Sequence, residues 1–332
     1  MNQRKLGIGG PVVSAVGLGC MGMSGGYGAT SPGEGERAIR HALDLGYSLF
    51  DTADFYADGD NERLLGRALA GRRAEAVIVT RGGVRSRTPG GPPVVLDGTP
   101  EYLRRACEAS LRRLGVERID VYCLGRVDPR VPVEESVGAL VELLTEGKIG
   151  HIGLSEVSAE TLRRAHGVHP VTVLESEYSL WERHIEDAIQ PAARELGVGV
   201  LAHTPLGKGF LTGALSSPDE LAQRDHRRNH PRWQGENFRR NREMVDEAAA
   251  LATELGVSRA CIALAWLLAR GEDLVPIPGS RRLAHLADNA AATELVLSPD
   301  HIAHLDGIFR PQRVSGARHP AHRKQASADR DG

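Results

Sequence analysis

The chain has 332 residues, 41% hydrophobic and 25% charged, a globular balance that excludes disordered and collagen-like classes. A formal net charge of −2 leaves no electrostatic footprint for nucleic acid. The longest apolar stretches, of about ten residues, are half of what a membrane span needs, and the first residues lack an apolar signal core. Four cysteines without pairing or metal spacing fit a reduced cytoplasm, and no histidine spacing announces a metal. The length admits two or three domains, or one α/β barrel with insertions.

Taken in chain order, short Val/Ile/Leu-rich runs alternate with helical patterns. Strands are expected at Ala15–Cys20, Ser48–Asp51, Ala76–Arg81, Asp120–Gly125, Ile152–Ser155, Thr172–Glu175, Gly199–His203 and Leu274–Pro278. Helices are expected at Gly35–Leu45, Pro100–Leu114, Val133–Thr145, Ser158–His166, Ile185–Leu196, Asn241–Leu255 and Ser258–Leu268. Gly46, Gly115, Gly147, Gly167 and Gly197 stand where helix-ending glycines belong. Eight β-then-α units point to a single-domain (β/α)8 barrel with long active-site loops. The competing reading is a doubly wound open sheet, for which Gly17-Leu-Gly19-Cys-Met-Gly22 has the glycine spacing. No acidic residue ends a second strand at the usual ribose-binding spacing, and eight repeats outweigh one glycine motif.

Two insertions, Gly82–Thr99 and Ala214–Arg240, follow strands and should lie on the active-site face. The barrel is expected over 1–312, with a polar tail over 313–332 whose end is disordered and whose first part can fold over a site.

Chemistry in such a barrel sits at the C-terminal strand ends. Asp51, Tyr56 and Arg81 stand there as a carboxylate, a phenol and a guanidinium, a plausible acid–base set. A cation beside the phenol should lower its pKa. An N-cap or structural ion pair at Asp51, and a packed loop aromatic at Tyr56, remain the alternatives. Trp181, Trp233, Phe55 and Tyr178 are candidates to line an apolar pocket.

Asp51-Thr-Ala-Asp-Phe-Tyr56, then Asn61-Glu-Arg-Leu-Leu-Gly66, resembles the aldo-keto reductase signature. So do Ile152-Gly-Leu-Ser155-Glu, Glu175-Ser-Glu-Tyr178, Pro205-Leu-Gly-Lys-Gly209 and Pro276-Ile-Pro-Gly279-Ser. The likeness runs from about Leu6 to His319, and Cys20–Ser24 and Asn229–Phe238 resemble the large bacterial and plant branch. The resemblance implies a (β/α)8 barrel binding NADPH across its strand ends and acting on a small-molecule substrate. From charge and apolar run length, neither a nucleic-acid nor a membrane partner is expected, and the oligomeric state stays open.

Carried over position by position, the resemblance implies cofactor contacts at Gly19, Cys20 and Met21, and carboxamide contacts at Ser155 and Glu175. His203 stands where a tyrosine usually stacks on nicotinamide. Thr204, Leu206, Gly207 and Lys208 fall in the loop over the pyrophosphate. Gly279, Ser280, Arg281, His285, Asp288 and Asn289 fall at the 2′-phosphate end, and Arg281 favours NADP over NAD.

The family tetrad is Asp, Tyr, Lys, His. Asp51 and Tyr56 match it, but the Lys position is Arg81 and the His position is Gly125. Lysine is scarce here, four of 41 basic residues, which can account for the first change but not the second. Losing the donor at 125 removes a group worth on the order of 10²–10³ in rate. The leading expectation is NADPH-dependent carbonyl reduction with Tyr56 as proton donor, in a role suited to specialised biosynthesis. Two alternatives stay open. One is redox-neutral chemistry such as dehydration or epimerisation. The other is non-catalytic NADPH binding, as in the potassium-channel β-subunit relatives.

Overall fold

The computed structural model describes residues 1–320 apart from Gly26, Gly28, Ala29, Pro32, residues 86–94 and Arg224. The expected disorder at the tail's end falls on residues 321–332, outside the described residues.

Eight parallel strands form one sheet: β1 Leu18–Gly19, β2 Leu49–Asp51, β3 Val77–Gly82, β4 Ile119–Leu124, β5 Ile149–Ser155, β6 Val173–Glu177, β7 Gly199–His203 and β8 Leu274–Pro276. Each pairs with its neighbour in chain order. Backbone hydrogen bonds from Gly17 N to Pro276 O (2.9 Å) and Gly19 N to Pro278 O (3.2 Å) join β8 to β1 and close the barrel. The glycine motif therefore serves close strand approach, since a Cβ on Gly19 would lie 2.8 Å from the Ile277 carbonyl oxygen.

The surrounding helices are α1 Glu34–Asp44, α2 Asp60–Ala68, α3 Pro100–Leu114, α4 Val133–Thr145, α5 Ala159–Val168, α6 Ile189–Glu195, α7 Gly235–Glu254, α8 Arg259–Leu268, α9 Leu283–Ala291 and α10 Pro299–Ile308. Their starts follow local chemistry. Thr99 caps α3 ahead of Pro100, and Ser158, Ser258 and Ser298 cap α5, α8 and α10. Apolar spacing does not announce α2, α9 or α10, which are short and bury few side chains. Helix α7 begins six residues before the expected Asn241, inside the polar insertion. Its first turns are built on Glu236 pairing with Arg239 and Arg240, a pattern without an apolar stripe. The expected Ile185–Leu196 helix is split into a turn at His184–Glu186 and α6. Gly167 lies inside α5 rather than beyond it.

The other insertion opens as a small hairpin, Val84–Arg85 against Val95–Leu96. Trp181, Trp233 and Tyr178 are core rather than pocket wall. Trp181 stacks on Phe210 at 4.1 Å, Trp233 meets both rings edge-on, and Tyr178 packs against Trp266. Trp233, on the second long loop, packs on Trp181 and Phe210 and anchors that loop against the barrel.

An N-terminal hairpin, Gln3–Lys5 with Val12–Ser14, sits under the barrel. Its Leu6 and Val13 are fully buried among Leu49, Val79, Val121, Cys123, Val173, Leu201, Val275 and Ile277, the inward-facing residues of the strands. Side chains alternate along a strand, so the residue two positions further on also faces inward. That track carries Asp51, Arg81, Gly125, Glu175 and His203. The apolar plug thus ends where the polar mouth begins.

Candidate active site

Three strand ends supply the deepest group. Arg81 (β3) donates through Nη2 to both oxygens of Asp51 (β2) at 2.5 and 2.6 Å, and its Nη1 pairs with Glu175 Oε2 (β6). Its Nε donates to Thr52 O at 3.2 Å. All three side chains are at most 5% exposed. Burial raises the Asp51 pKa, Arg81 lowers it and Glu175 raises it again, leaving it well above the usual range.

Helix α2 supports these ends. Asn61 links Thr52 Oγ1 (2.7 Å), Cys20 O (2.8 Å) and Ser24 Oγ (2.6 Å), tying the loops after β1 and β2 together. Glu62 accepts from Thr80 Oγ1 (2.7 Å) and Arg113 Nε (2.6 Å), holding β3 against α3.

Tyr56 opens a tight turn in which Ala57 and Asp58 take positive φ (49° and 51°). Its ring centroid lies 5.7 Å from Arg81 Cζ. The expected lowering of the phenol pKa is not what the geometry produces. Burial raises it, Arg81 lowers it, Asp51 and Glu175 raise it again, and the net direction is upward. Burial is the largest cause, and the two carboxylates offset part of the guanidinium's opposing effect.

Gly125 follows β4, and a Cβ there would lie 3.0 Å from Gly82 O and 3.4 Å from the Arg81 Cγ. The side chain that does enter this region is the next one. Arg126 Nη1 donates to Gly125 O (2.6 Å) and to Ser155 Oγ (3.1 Å).

A second charged group crosses the rim over β5, β6 and β7. Glu156, at φ 58°, accepts from the Glu177 backbone N (2.7 Å) and faces His203 Nε2 at 2.8 Å. Arg318, from the C-terminal segment, donates to Glu156 Oε2 (2.6 Å) and Glu177 Oε2 (2.7 Å), and Lys208 Nζ reaches Glu177 Oε1 (3.3 Å). Burial raises the pKa of both glutamates. Arg318 and His203 at Glu156, and Lys208 and Arg318 at Glu177, outweigh it and hold both well below the usual range. Glu156 and Glu177 stand visibly at strand ends, but nothing in the sequence marks Arg318 as their partner.

The remaining predicted residues form an arc around this mouth. Gly19, Cys20 and Met21 follow β1, with the Cys20 side chain fully buried. Thr204, Leu206, Gly207 and Lys208 shape the turn after β7, with Thr204 and Lys208 at positive φ (55° and 59°). Among the described residues, the five non-glycine residues with positive φ all lie on loops at this face, where strain is a mark of functional sites. Gly279, Ser280 and Arg281 follow β8, with Arg281 Nη1 3.8 Å from Glu34. On α9, His285 is exposed, Asn289 is buried, and Asp288 accepts from Ser258 Oγ at 2.5 Å. A hydroxyl and a guanidinium at the β8 end suit a phosphate monoester. At the β5–β6 end, Ser155 and Glu175 are already engaged by Arg126 and Arg81.

The four cysteines are free and buried. No single helix among the described residues is long and apolar enough to cross a membrane.

The aldo/keto reductase family model matches residues 15–310. A probable aldo-keto reductase of Glycine max is 41% identical over 317 residues, covering 95% of this chain and 91% of that protein. Among solved structures, a glycerol dehydrogenase of Gluconobacter oxydans superposes with a TM-score of 0.86 at 30% identity, covering 96% of this chain and 98% of the other. The holo form of an aldo-keto reductase of Bacillus halodurans gives 0.77 at 25% identity, covering 97% and 99%. With the closed eight-stranded barrel and the Asp51–Tyr56 pair at its mouth, these matches show that the chain belongs to the aldo/keto reductase family of oxidoreductases.

Proposed function

We propose that this protein reduces a carbonyl group on a small-molecule substrate with NADPH, Tyr56 giving the proton. The observation that carries the reading is the convergence of Asp51, Arg81 and Tyr56 at one barrel mouth. When bound, NADPH would supply the hydride. Gly19, Cys20, Met21, Ser155, Glu175 and His203, the turn Thr204–Lys208, and Gly279, Ser280, Arg281, His285, Asp288 and Asn289 would hold it. A raised Tyr56 pKa keeps the phenol protonated, as a donor requires. Asp51 and Arg81 fix the ring's surroundings, and Gly125 leaves the substrate oxygen without the imidazole of the family tetrad. That last feature also favours a second reading, a redox-neutral reaction on the same scaffold. We also propose a barrel over 1–312 with a tail over 313–332, and a cytoplasmic setting.

The test is nucleotide binding followed by NADPH oxidation with a panel of aldehydes and ketones. Arg281→Ala should weaken NADPH far more than NADH, and Tyr56→Phe should lower turnover by about 10²–10⁴ with nucleotide affinity retained. Equal loss of both nucleotides would remove the NADP assignment. A fully active Tyr56→Phe protein would remove the proton-donor role and leave the second reading.

A further inference from the structure

A guanidinium beside a phenol ordinarily makes the phenol more acidic. At this mouth all three guanidinium nitrogens of Arg81 are committed elsewhere: Nη2 to Asp51, Nη1 to Glu175 and Nε to the Thr52 carbonyl. The Tyr56 ring lies over the same guanidinium at 5.7 Å, and no hydrogen bond joins them. The charges felt by Tyr56 come from four elements: Asp51 on β2, Arg81 on β3, Arg126 after β4 and Glu175 on β6. Two cations face two carboxylates. Asp51 is in register with Val79, two residues before Arg81 on the adjacent strand, whereas Glu175 comes from a strand three places further round the sheet and closes the arrangement.

We propose that Glu175 is a positioning residue: with Asp51 it clamps Arg81, offsets part of the cation's pull on the Tyr56 proton and so adds to burial in keeping the phenol a proton donor. The consequence is directional. In the reduction proposed above, on which this consequence rests, hydride adds to the carbonyl carbon and the Tyr56 Oη proton passes to the carbonyl oxygen. The tyrosinate so formed is refilled from water. The reverse oxidation needs tyrosinate at the outset, which the clamp disfavours. Family resemblance assigns Glu175 to cofactor binding; the clamp gives it a task in the ligand-free protein.

The experiment is a tyrosinate absorbance titration of the ligand-free chain, each protein read against its own Tyr56→Phe version. Background is low, because burial pushes Tyr27 and Tyr102 up to about 12 and raises Tyr47, Tyr122 and Tyr178 as well. The wild type should show no Tyr56 signal below about pH 10.5, above the ordinary tyrosine value of about 10. Glu175→Gln should lower the Tyr56 titration by about 1–2 pH units relative to the wild type, both followed to the alkaline limit of the folded protein. A folded Glu175→Gln protein whose Tyr56 titration coincides with the wild type's overturns the proposal, and so does a wild type that titrates at or below the ordinary value. If Glu175→Gln does not fold, Arg81→Lys/Glu175→Gln carries the same net charge and is read by the same two outcomes. A purely structural Glu175 would change the melting temperature and leave the titration where it was. The readout needs no nucleotide, so an absence of NADPH oxidation would sink the proposed reaction without touching this result.

Discussion

Two arginines at the barrel mouth each bridge two carboxylates, yet Asp51 beside the first and the two glutamates beside the second are shifted in opposite directions. Arg81 joins Asp51 and Glu175, and Asp51 is held well above its ordinary pKa. Arg318 joins Glu156 and Glu177, and both are held well below theirs. The difference lies in the count of cations and in access to water. The inner group has one cation for two carboxylates and side chains at most 5% exposed. The rim group adds Lys208, has His203 Nε2 2.8 Å from Glu156, and its arginine is 16% exposed. An arginine between two acids therefore does not fix their ionisation; its surroundings do.

The largest expected effect comes from removing each bridge. Arg81→Met leaves two buried carboxylates without their cation and should cost about 3–5 kcal/mol in denaturant unfolding. Arg318→Met leaves Lys208 and some solvent to compensate and should cost about 1 kcal/mol. Equal losses would erase the distinction between the two groups.

Acid sharpens the comparison further. Glu156 and Glu177 have depressed native pKa values, so their contribution is complete above the unfolded value of about 4.3. It is lost as pH falls through the native values. Asp51 runs the other way: its native carboxyl keeps its proton above the unfolded value of about 3.9, so its effect on folding turns unfavourable as pH rises from there. Amide-exchange protection over residues 314–319 should therefore fall below about pH 4 in the wild type. Arg318→Met should show little acid dependence there. The same acid profile in both proteins would disconnect the tail from Glu156 and Glu177.

The smallest effect concerns Gly125. A Cβ there needs Gly82 O and the Arg81 stem to give by a few tenths of an ångström. Gly125→Ala should cost about 1 kcal/mol and shift the Tyr56 surroundings only through Arg81. A stabilised Gly125→Ala protein would show that the space is a plain cavity.

All eight barrel strands were legible as short apolar runs, because strands covered on both faces must be apolar throughout. The N-terminal hairpin was not. Gln3–Lys5 and Val12–Ser14 are three residues each, and only Leu6 and Val13, pressed into the barrel floor, show their purpose. Trp181 and Trp233 read equally well as pocket lining or packing until Phe210 is seen between them.

At the site, residue types and strand-end positions were readable for Asp51, Tyr56, Arg81 and Gly125, since period-two alternation puts alternate residues of a barrel strand on one inward track. What those residues do to each other was not. The sign of the Tyr56 shift reversed because the folded barrel buries the phenol and brings Asp51 and Glu175, the latter nearly a hundred positions along the chain from Arg81, beside the guanidinium. Arg318 was invisible as a partner for the same reason: no local pattern links a polar tail to Glu156 and Glu177, 162 and 141 residues away. The sequence by itself determined the barrel, the family and the inward track, because periodicity and motif spacing are local. Only the tertiary structure decided which charges meet, and with it the protonation of the mouth, because electrostatic energy depends on distance through space.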